Sequence, residues 1–261
     1  MAILGFVGTG TLADAVIRGL QKTEAQAHRF LLSPRSETRS RALAREFDNT
    51  KRAESNEAVV AQSDIVLLGV LPKQIGELGA LPFRADQIVV SFLAGVPVEV
   101  VRRNIAPATR VVRMIPLPCI EFGKGPILMT PADAEVEAIF GKVGELVIPD
   151  QESDLDAISI ASGLMSAHFQ MQNTVVAWLQ SREIVPALAS RYVRSLYSGL
   201  GELALEMDRK GDALPPEEYE TRGGLNETAR AFLNHEGWFD DMARALDRVE
   251  AHRRTLMKPA D

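Results

Sequence analysis

The chain opens on an apolar run without polar alternation, Ile3-Leu4-Gly5-Phe6-Val7, then turns at Gly8-Thr9-Gly10 and continues with helical spacing from Thr11. A short unbroken apolar run suits a parallel strand covered on both faces. Similar runs return at Phe30-Leu31-Leu32, at residues 64–70, 87–92 and 110–115, and at Pro126-Ile127-Leu128-Met129. Helical stretches fall between them at about 53–62, 97–104 and 131–143, and Ser36 is placed to cap a further one. Strands alternating with helices of this length predict an α/β fold, with a doubly wound, mostly parallel, Rossmann-type sheet.

After about Pro149 the strand signals cease. Residues 154–181 read as one long helix and 184–210 as another, with Pro186 as the place for a kink. Shorter helices are expected at 224–234 and 238–257. The shift puts a boundary near 149–153, between a dinucleotide-binding domain at 1–150 and an all-α domain at 151–261. No charged residue occurs from Ala157 to Ser181, a length that could span a bilayer. That stretch also carries Ser162, Ser166, His168, Gln170, Gln172 and Asn173, a polar load that is costly in lipid. A helix buried between protein surfaces is therefore expected. Its apolar positions, among them Ile158, Leu164, Phe169, Val175 and Trp178, run around several faces. One small helical domain cannot easily cover them, whereas a second copy of the chain can, so this domain is expected to dimerise.

Composition narrows the classes. The 261 residues include 29 Lys and Arg against 35 Asp and Glu, a formal charge of −6, which argues against nucleic acid as a partner. The single cysteine, Cys119, excludes an internal disulfide and a cysteine-based zinc site. It suits a reducing cytosol, and no metal is expected. No basic segment precedes the first apolar run, which glycines interrupt, so a signal peptide is not expected and the location is read as cytoplasmic.

The candidate chemistry starts at the first turn. Gly8, Gly10 and Ala13 form a Gly-x-Gly-x-x-Ala fingerprint between a strand and a helix. Free amides at the helix start, and its positive end, suit a pyrophosphate. In a doubly wound sheet the ligand lies outside the carboxyl ends of the strands. Five turns fall at such ends: 8–12, 33–36, 69–74, 94–95 and 116–118. Within them Gly8, Thr9, Gly10, Thr11, Leu12, Ser33, Arg35, Gly69, Val70, Leu71, Gln74, Ala94, Gly95 and Pro116 are candidate cofactor contacts. After the second strand there is no acidic residue for the ribose hydroxyls until Glu37. Ser33, Arg35, Ser36, Thr38 and Arg39 offer donors and positive charge instead, which suits a 2′-phosphate and favours NADPH over NADH.

Over almost its whole length the chain resembles the pyrroline-5-carboxylate reductase family. The resemblance runs through Gly5-Phe6-Val7-Gly8-Thr9-Gly10-Thr11-Leu12-Ala13, Gly69-Val70-Leu71-Pro72-Lys73-Gln74, Ser91-Phe92-Leu93-Ala94-Gly95 and Arg113-Met114-Ile115-Pro116-Leu117-Pro118. It continues at Ala161-Ser162-Gly163 and Thr221-Arg222-Gly223-Gly224. It implies an N-terminal Rossmann domain, a helical domain that interlocks in a homodimer, and NAD(P)H-dependent reduction of a cyclic imine in proline biosynthesis. It also implies that Gly223, Gly224 and Leu225 occupy the turn that binds the substrate carboxylate. The chain departs from the family where the chemistry lies. Leu71 replaces a lysine, Leu117 stands where an asparagine is usual, and the family's threonines after the paired glycines become Leu225, Asn226 and Glu227.

The remaining candidates for a proton source or substrate anchor are Ser162, His168, Asn226 and Glu227. His168 follows Ser162 by six positions, so one helix could bring both to one face. Histidine can donate a proton near neutral pH, or serve as a satisfied polar group at a helix interface. Asn226 and Glu227 can cap a helix, line a site, or both. Asp154 and Asp156 read as a solvated helix start. An imine can arrive already protonated and then needs no strong general acid. A carbonyl-reducing relative would need a lysine on the long helix, and none lies between Lys142 and Lys210. The alternative to an imine reductase is an NADP-binding homodimer of reductase type, a sensor or an enzyme for another substrate such as a carbonyl compound.

Overall fold

A computed structural model describes residues 1–24 and 27–256. The apolar runs become an eight-stranded sheet: β1 (Ala2–Val7), β2 (His28–Leu32), β3 (Thr50–Arg52), β4 (Ile65–Leu68), β5 (Ile88–Ser91), β6 (Arg110–Pro116), β7 (Pro126–Thr130) and β8 (Glu145–Val147). Their order is β3-β2-β1-β4-β5-β6-β7-β8. The first six are parallel, β7 runs antiparallel to β6, and β8 is parallel to β7. Both faces are covered, which explains the lack of alternation. Ile65 and Leu67 of β4 enter one apolar cluster, Val66 and Leu68 the other. The expected α/β architecture is the one observed.

The covering helices are α1 (Thr11–Glu24), α2 (Glu37–Glu46), α3 (Asn56–Gln62), α4 (Val98–Asn104) and α5 (Ala134–Phe140). Their starts are set by local capping. The Ser55 hydroxyl accepts from the Ala58 amide at 3.2 Å, so α3 begins three residues later than the apolar spacing suggests. Asp133 accepts from the Glu135 and Val136 amides and starts α5. Ser36 occupies the capping position of α2 without a side-chain hydrogen bond. Strand β3 has no apolar run to announce it, whereas β8 enters the short run Leu146-Val147-Ile148 just before Pro149. Each has three residues and only partial burial.

The chain separates into two compact units, 1–159 and 160–261. The boundary lies beyond the composition shift because α6 (Glu152–Ser159) belongs to the first unit. Arg113 of β6 is only 2% exposed. It donates to Glu152 at 3.0 Å and to Asp156 at 2.7 Å, while Glu152 also accepts from the Val98 amide at 2.9 Å. Asp156 is thus an ion-pair partner rather than part of a solvated helix start. Leu155, on the same helix, is fully buried.

In the second unit the single long helix expected at 154–181 is broken. A 3-10 turn, Ile160–Leu164, separates α6 from α7 (Met165–Gln180). Ser162 and Gly163 are weak helix formers, and a Cβ on Gly163 would meet Val249 at 3.0 Å. Helix α8 (Pro186–Lys210) starts at its proline instead of kinking there, because Pro186 takes a first-turn position that needs no amide donor. Next come α9 (Leu225–His235) and α10 (Trp238–Leu256). The expected end of the last helix, Met257, lies outside the described residues. Among the described residues no helix is long and apolar enough to cross a membrane.

Candidate functional site

Since β1, β2, β4, β5 and β6 are parallel neighbours, the five turns that follow them emerge along one edge of the sheet. Gly8 has φ +97°, a left-handed conformation suited to glycine. A Cβ there would stand 2.6 Å from the Gly69 carbonyl oxygen, and a Cβ on Gly69 would stand 2.8 Å from the Gly8 carbonyl oxygen. The first and third of these turns are therefore packed backbone to backbone. Gly10 differs: a Cβ there meets nothing within 4 Å. Its lack of a side chain leaves open space in front of α1, whose first amides have no partner within the helix. A phosphate group fits that space and those donors. Ala13 is 1% exposed at the helix–sheet contact, the third position of the fingerprint.

Two of the candidate contacts support the turn instead of facing outward. Ser33 and Thr9 are fully buried. The Ser33 hydroxyl accepts from the Gly8 amide at 3.0 Å, and the Thr9 hydroxyl lies 3.4 Å from both Ser33 oxygens. Arg35 is exposed and pairs with Glu77 at 3.2 Å. Arg39 reaches Asp14 at 3.4 Å, and Arg52 donates to the Pro34 carbonyl at 3.2 Å. Along the same edge Leu71 is exposed, and its amide donates to Gln74 at 3.2 Å. Gly95 has φ +70° beside exposed Ala94, and Pro116 is buried. Cys119 is half-buried. Burial pushes its thiol up, in keeping with a structural residue.

In the helical unit the paired glycines form a closed turn. Gly223 has φ +72°, and the Gly224 amide donates to the Thr221 carbonyl at 2.7 Å. The Gly223 amide donates to the Glu227 carboxylate, and the Asn226 side chain donates to the Tyr219 carbonyl at 2.9 Å. Both side chains thus fasten the entry to α9. Arg230 braces this turn with hydrogen bonds to Glu220 at 2.6 and 2.9 Å, and holds the Glu220 carboxyl below the usual carboxylate range. Leu225 is 91% exposed, so it fills no pocket within this unit.

Ser162 and His168 lie on different elements, the 3-10 turn and α7, so the shared helical face expected for them does not form. His168 borders a cavity of about 770 Å³ in the helical unit, lined also by Met171, Tyr197, Leu233, Trp238 and Asp241. Sequence reasoning missed Tyr197 and Gln172 as contacts of this histidine, Trp238 as a wall of its cavity, and Arg194 as the partner of Gln172. Tyr197, Trp238 and Arg194 lie on helices far along the chain, and Gln172 reads in the sequence only as part of a polar load. Among the described residues no group of three or more His, Cys, Asp or Glu could hold a metal ion.

The sheet order, the glycine turn and the open cradle define a dinucleotide-binding fold of Rossmann type. Residues 3–95 match the family described as NADP oxidoreductase coenzyme F420-dependent. The chain is 24% identical to the pyrroline-5-carboxylate reductase of Haemophilus influenzae over 256 residues, covering 94% of this chain and 93% of that protein. A crystal structure of the Streptococcus pyogenes enzyme of that name has a TM-score of 0.79 at 19% identity, covering 97% of this chain and 98% of the other. The Plasmodium falciparum pyrroline carboxylate reductase, solved with NADP bound, has a TM-score of 0.80 at 17% identity, covering 98% of both chains. The resemblance to the pyrroline-5-carboxylate reductases therefore extends from one end of the chain to the other, and the fold is theirs.

Proposed function

We propose that this protein is an NADPH-dependent oxidoreductase that reduces a cyclic imine, pyrroline-5-carboxylate or a related imino acid, to the amine. The observation that carries the reading is the open cradle at Gly10, set between a buried strand and the first amides of α1, which a helix does not satisfy internally. When bound, the nicotinamide supplies a hydride. The turns at Gly8–Leu12 and Gly69–Gln74 hold the cofactor, with Ala94, Gly95 and Pro116 along the same edge. Arg35 is the residue offered to a 2′-phosphate. Ser33 acts indirectly, by holding the Gly8 amide. Hydride addition to the carbon of a protonated imine gives a neutral amine, so the chain need not supply a proton in that step. His168 and the turn at Gly223-Gly224 are the substrate-side groups in this reading, with Ser162 six positions before His168.

The same reading makes the protein a cytoplasmic homodimer. Phe169, Trp178, Val185, Leu188 and Tyr192 on α7, α8 and their connection are more than half exposed. A second copy would cover them. The alternative, an NADP-binding dimer without pyrroline-5-carboxylate reductase activity, has one observation in its favour. Glu227 already occupies the Gly223 amide to which a substrate carboxylate would bind in the family resemblance.

Oxidation of NADPH with a panel of cyclic imines, matching ketones and buffer alone separates these readings. Turnover of an imine above the ketones supports the reductase. NADPH binding without turnover of any imine or ketone supports the alternative. In the same titrations Arg35→Ala is expected to weaken NADPH by about 1–3 kcal/mol and leave NADH nearly unchanged. Equal losses for both would remove Arg35 from the 2′-phosphate role.

A further inference from the structure

His168 is the one titratable side chain on α7, and three observations determine which of its ring nitrogens carries the proton. Gln172, one turn further along α7, is 6% exposed. Arg194 of α8 donates to Gln172 Oε1 at 2.6 Å and also to Asn173 Oδ1. A guanidinium has donors only, so this contact assigns the oxygen and nitrogen of the Gln172 amide. Gln172 Nε2 then points to His168 Nε2 at 2.5 Å. An amide nitrogen has only protons to offer, so His168 Nε2 must accept. A proton on that nitrogen would face the Gln172 NH2 group, donor against donor. The ring is also held by Tyr197, edge-on with centroids 5.9 Å apart at 84°, and by Phe169 at 5.8 Å.

We infer that Gln172 and Arg194 are positioning residues that lock His168 in the Nδ1-protonated tautomer, so that the ring is a fixed hydrogen-bond donor to a substrate acceptor and not the proton source. The chemistry follows from the balance of the step. A neutral ring that gave up its one proton would become an imidazolate, too basic to serve as the conjugate base of a general acid at neutral pH. Donation of a hydrogen bond needs no such transfer. A substrate oxygen, such as a carboxylate or carbonyl, is the matching acceptor, since a protonated imine nitrogen is itself a donor. A ketone reduced by hydride becomes an alkoxide and requires a proton that this histidine does not release. An imine that arrives protonated requires none. The arrangement therefore favours imines over ketones and gives His168 the role of anchor. This rests on the reductase reading for its substrate, whereas the tautomer itself does not.

The test is nitrogen NMR on full-length protein labelled with 15N-histidine, which distinguishes protonated from unprotonated ring nitrogens. Only four histidines are present, so His168→Asn assigns the signal. The unaltered protein is expected to show Nδ1 protonated and Nε2 bare. Gln172→Glu keeps the tie to Arg194 but replaces the donor with an acceptor, and is expected to invert the tautomer. Gln172→Met removes the bias and is expected to give Nε2–H signal without added charge. An Nε2-protonated ring in the unaltered protein, or a tautomer unmoved by Gln172→Glu, overturns the inference. With an imine that the protein turns over, Gln172→Met is expected to raise KM about three- to tenfold and change kcat less, the scale of one hydrogen bond. A loss confined to kcat overturns the anchor role. If no imine is reduced, the proposed function fails while the tautomer measurement still decides the geometry.

Discussion

The two units of this chain meet their apolar side chains in opposite ways. In the first, Val66, Leu67 and Leu68 of β4 are fully buried, as are Val59, Val60 and Phe140 on the helices above and below. In the second, Val185, Leu188 and Tyr192 stand 64, 59 and 63% exposed within fourteen residues of Trp178, itself at 56%. A fully buried aliphatic or aromatic side chain contributes about 1.5–3 kcal/mol, so such a face represents a large unused contribution to stability. The first unit closes on itself around a sheet. The second has helices without a shared core large enough to cover them. Helical spacing alone therefore says that a face is apolar, but not which chain covers it.

The contrast can be broken at the first unit's buried charge. Arg113→Ala removes the buried guanidinium that ties Glu152 and Asp156 to β6 and is expected to cost about 3–5 kcal/mol, read as a lower denaturant midpoint. A loss under ~1 kcal/mol would show that the pair is not what fastens α6. Next in size is Gly10→Val. The open space at Gly10 admits the side chain, so the thermal midpoint is expected to hold while NADPH affinity falls at least about 100-fold. Undiminished binding would make the turn merely structural.

At the second unit, Leu188→Asp combined with Tyr192→Asp is expected to give monomers in light scattering at micromolar concentration, through a loss of about 2 kcal/mol or more in association. A monomeric unaltered protein would require some other cover for that face. The smallest effect is expected from Glu227→Gln. It should lower stability by a few tenths of a kcal/mol through the weakened first turn of α9, while removing the negative charge beside the Gly223 amide, whose hydrogen bond the glutamine oxygen can still accept. Turnover should then shift toward anionic imines. An unchanged substrate profile would confine Glu227 to its helix.

The cofactor half was legible because its signals are local and steric. An unbroken apolar run, two glycines and a small third residue prescribe strand, turn and helix within Ile3 to Ile17, and they stand where expected. Edge strand β3 was not legible, since three residues on the border of a sheet need no apolar pattern, and β8 was not singled out because its run, Leu146-Val147-Ile148, is short and stops at Pro149 where the strand signals cease. Ser33 shows a subtler limit. Its hydroxyl was visible as a donor, but its direction depends on Gly8, 25 positions away. In the 3-10 turn at Ile160–Leu164 a Cβ on Gly163 would meet Val249, and Gln172, which contacts His168, is tied to Arg194 on α8. Weak helix formers at Ser162 and Gly163 mark the break, but local propensity gives neither contact, because each partner arrives much later in the chain.

The Arg113 clasp also determines where the chain can be divided. A fragment stopped at the composition shift near Pro149 would keep the sheet but lose Glu152 and Asp156, leaving a guanidinium 2% exposed with neither carboxylate to receive it. The Val98 amide would lose its acceptor in the same cut. A fragment that runs on to Ser159 retains all three contacts. Any exchange of the helical unit between relatives of this fold is better joined there, after the last turn of α6, than at the point where the strands appear to end.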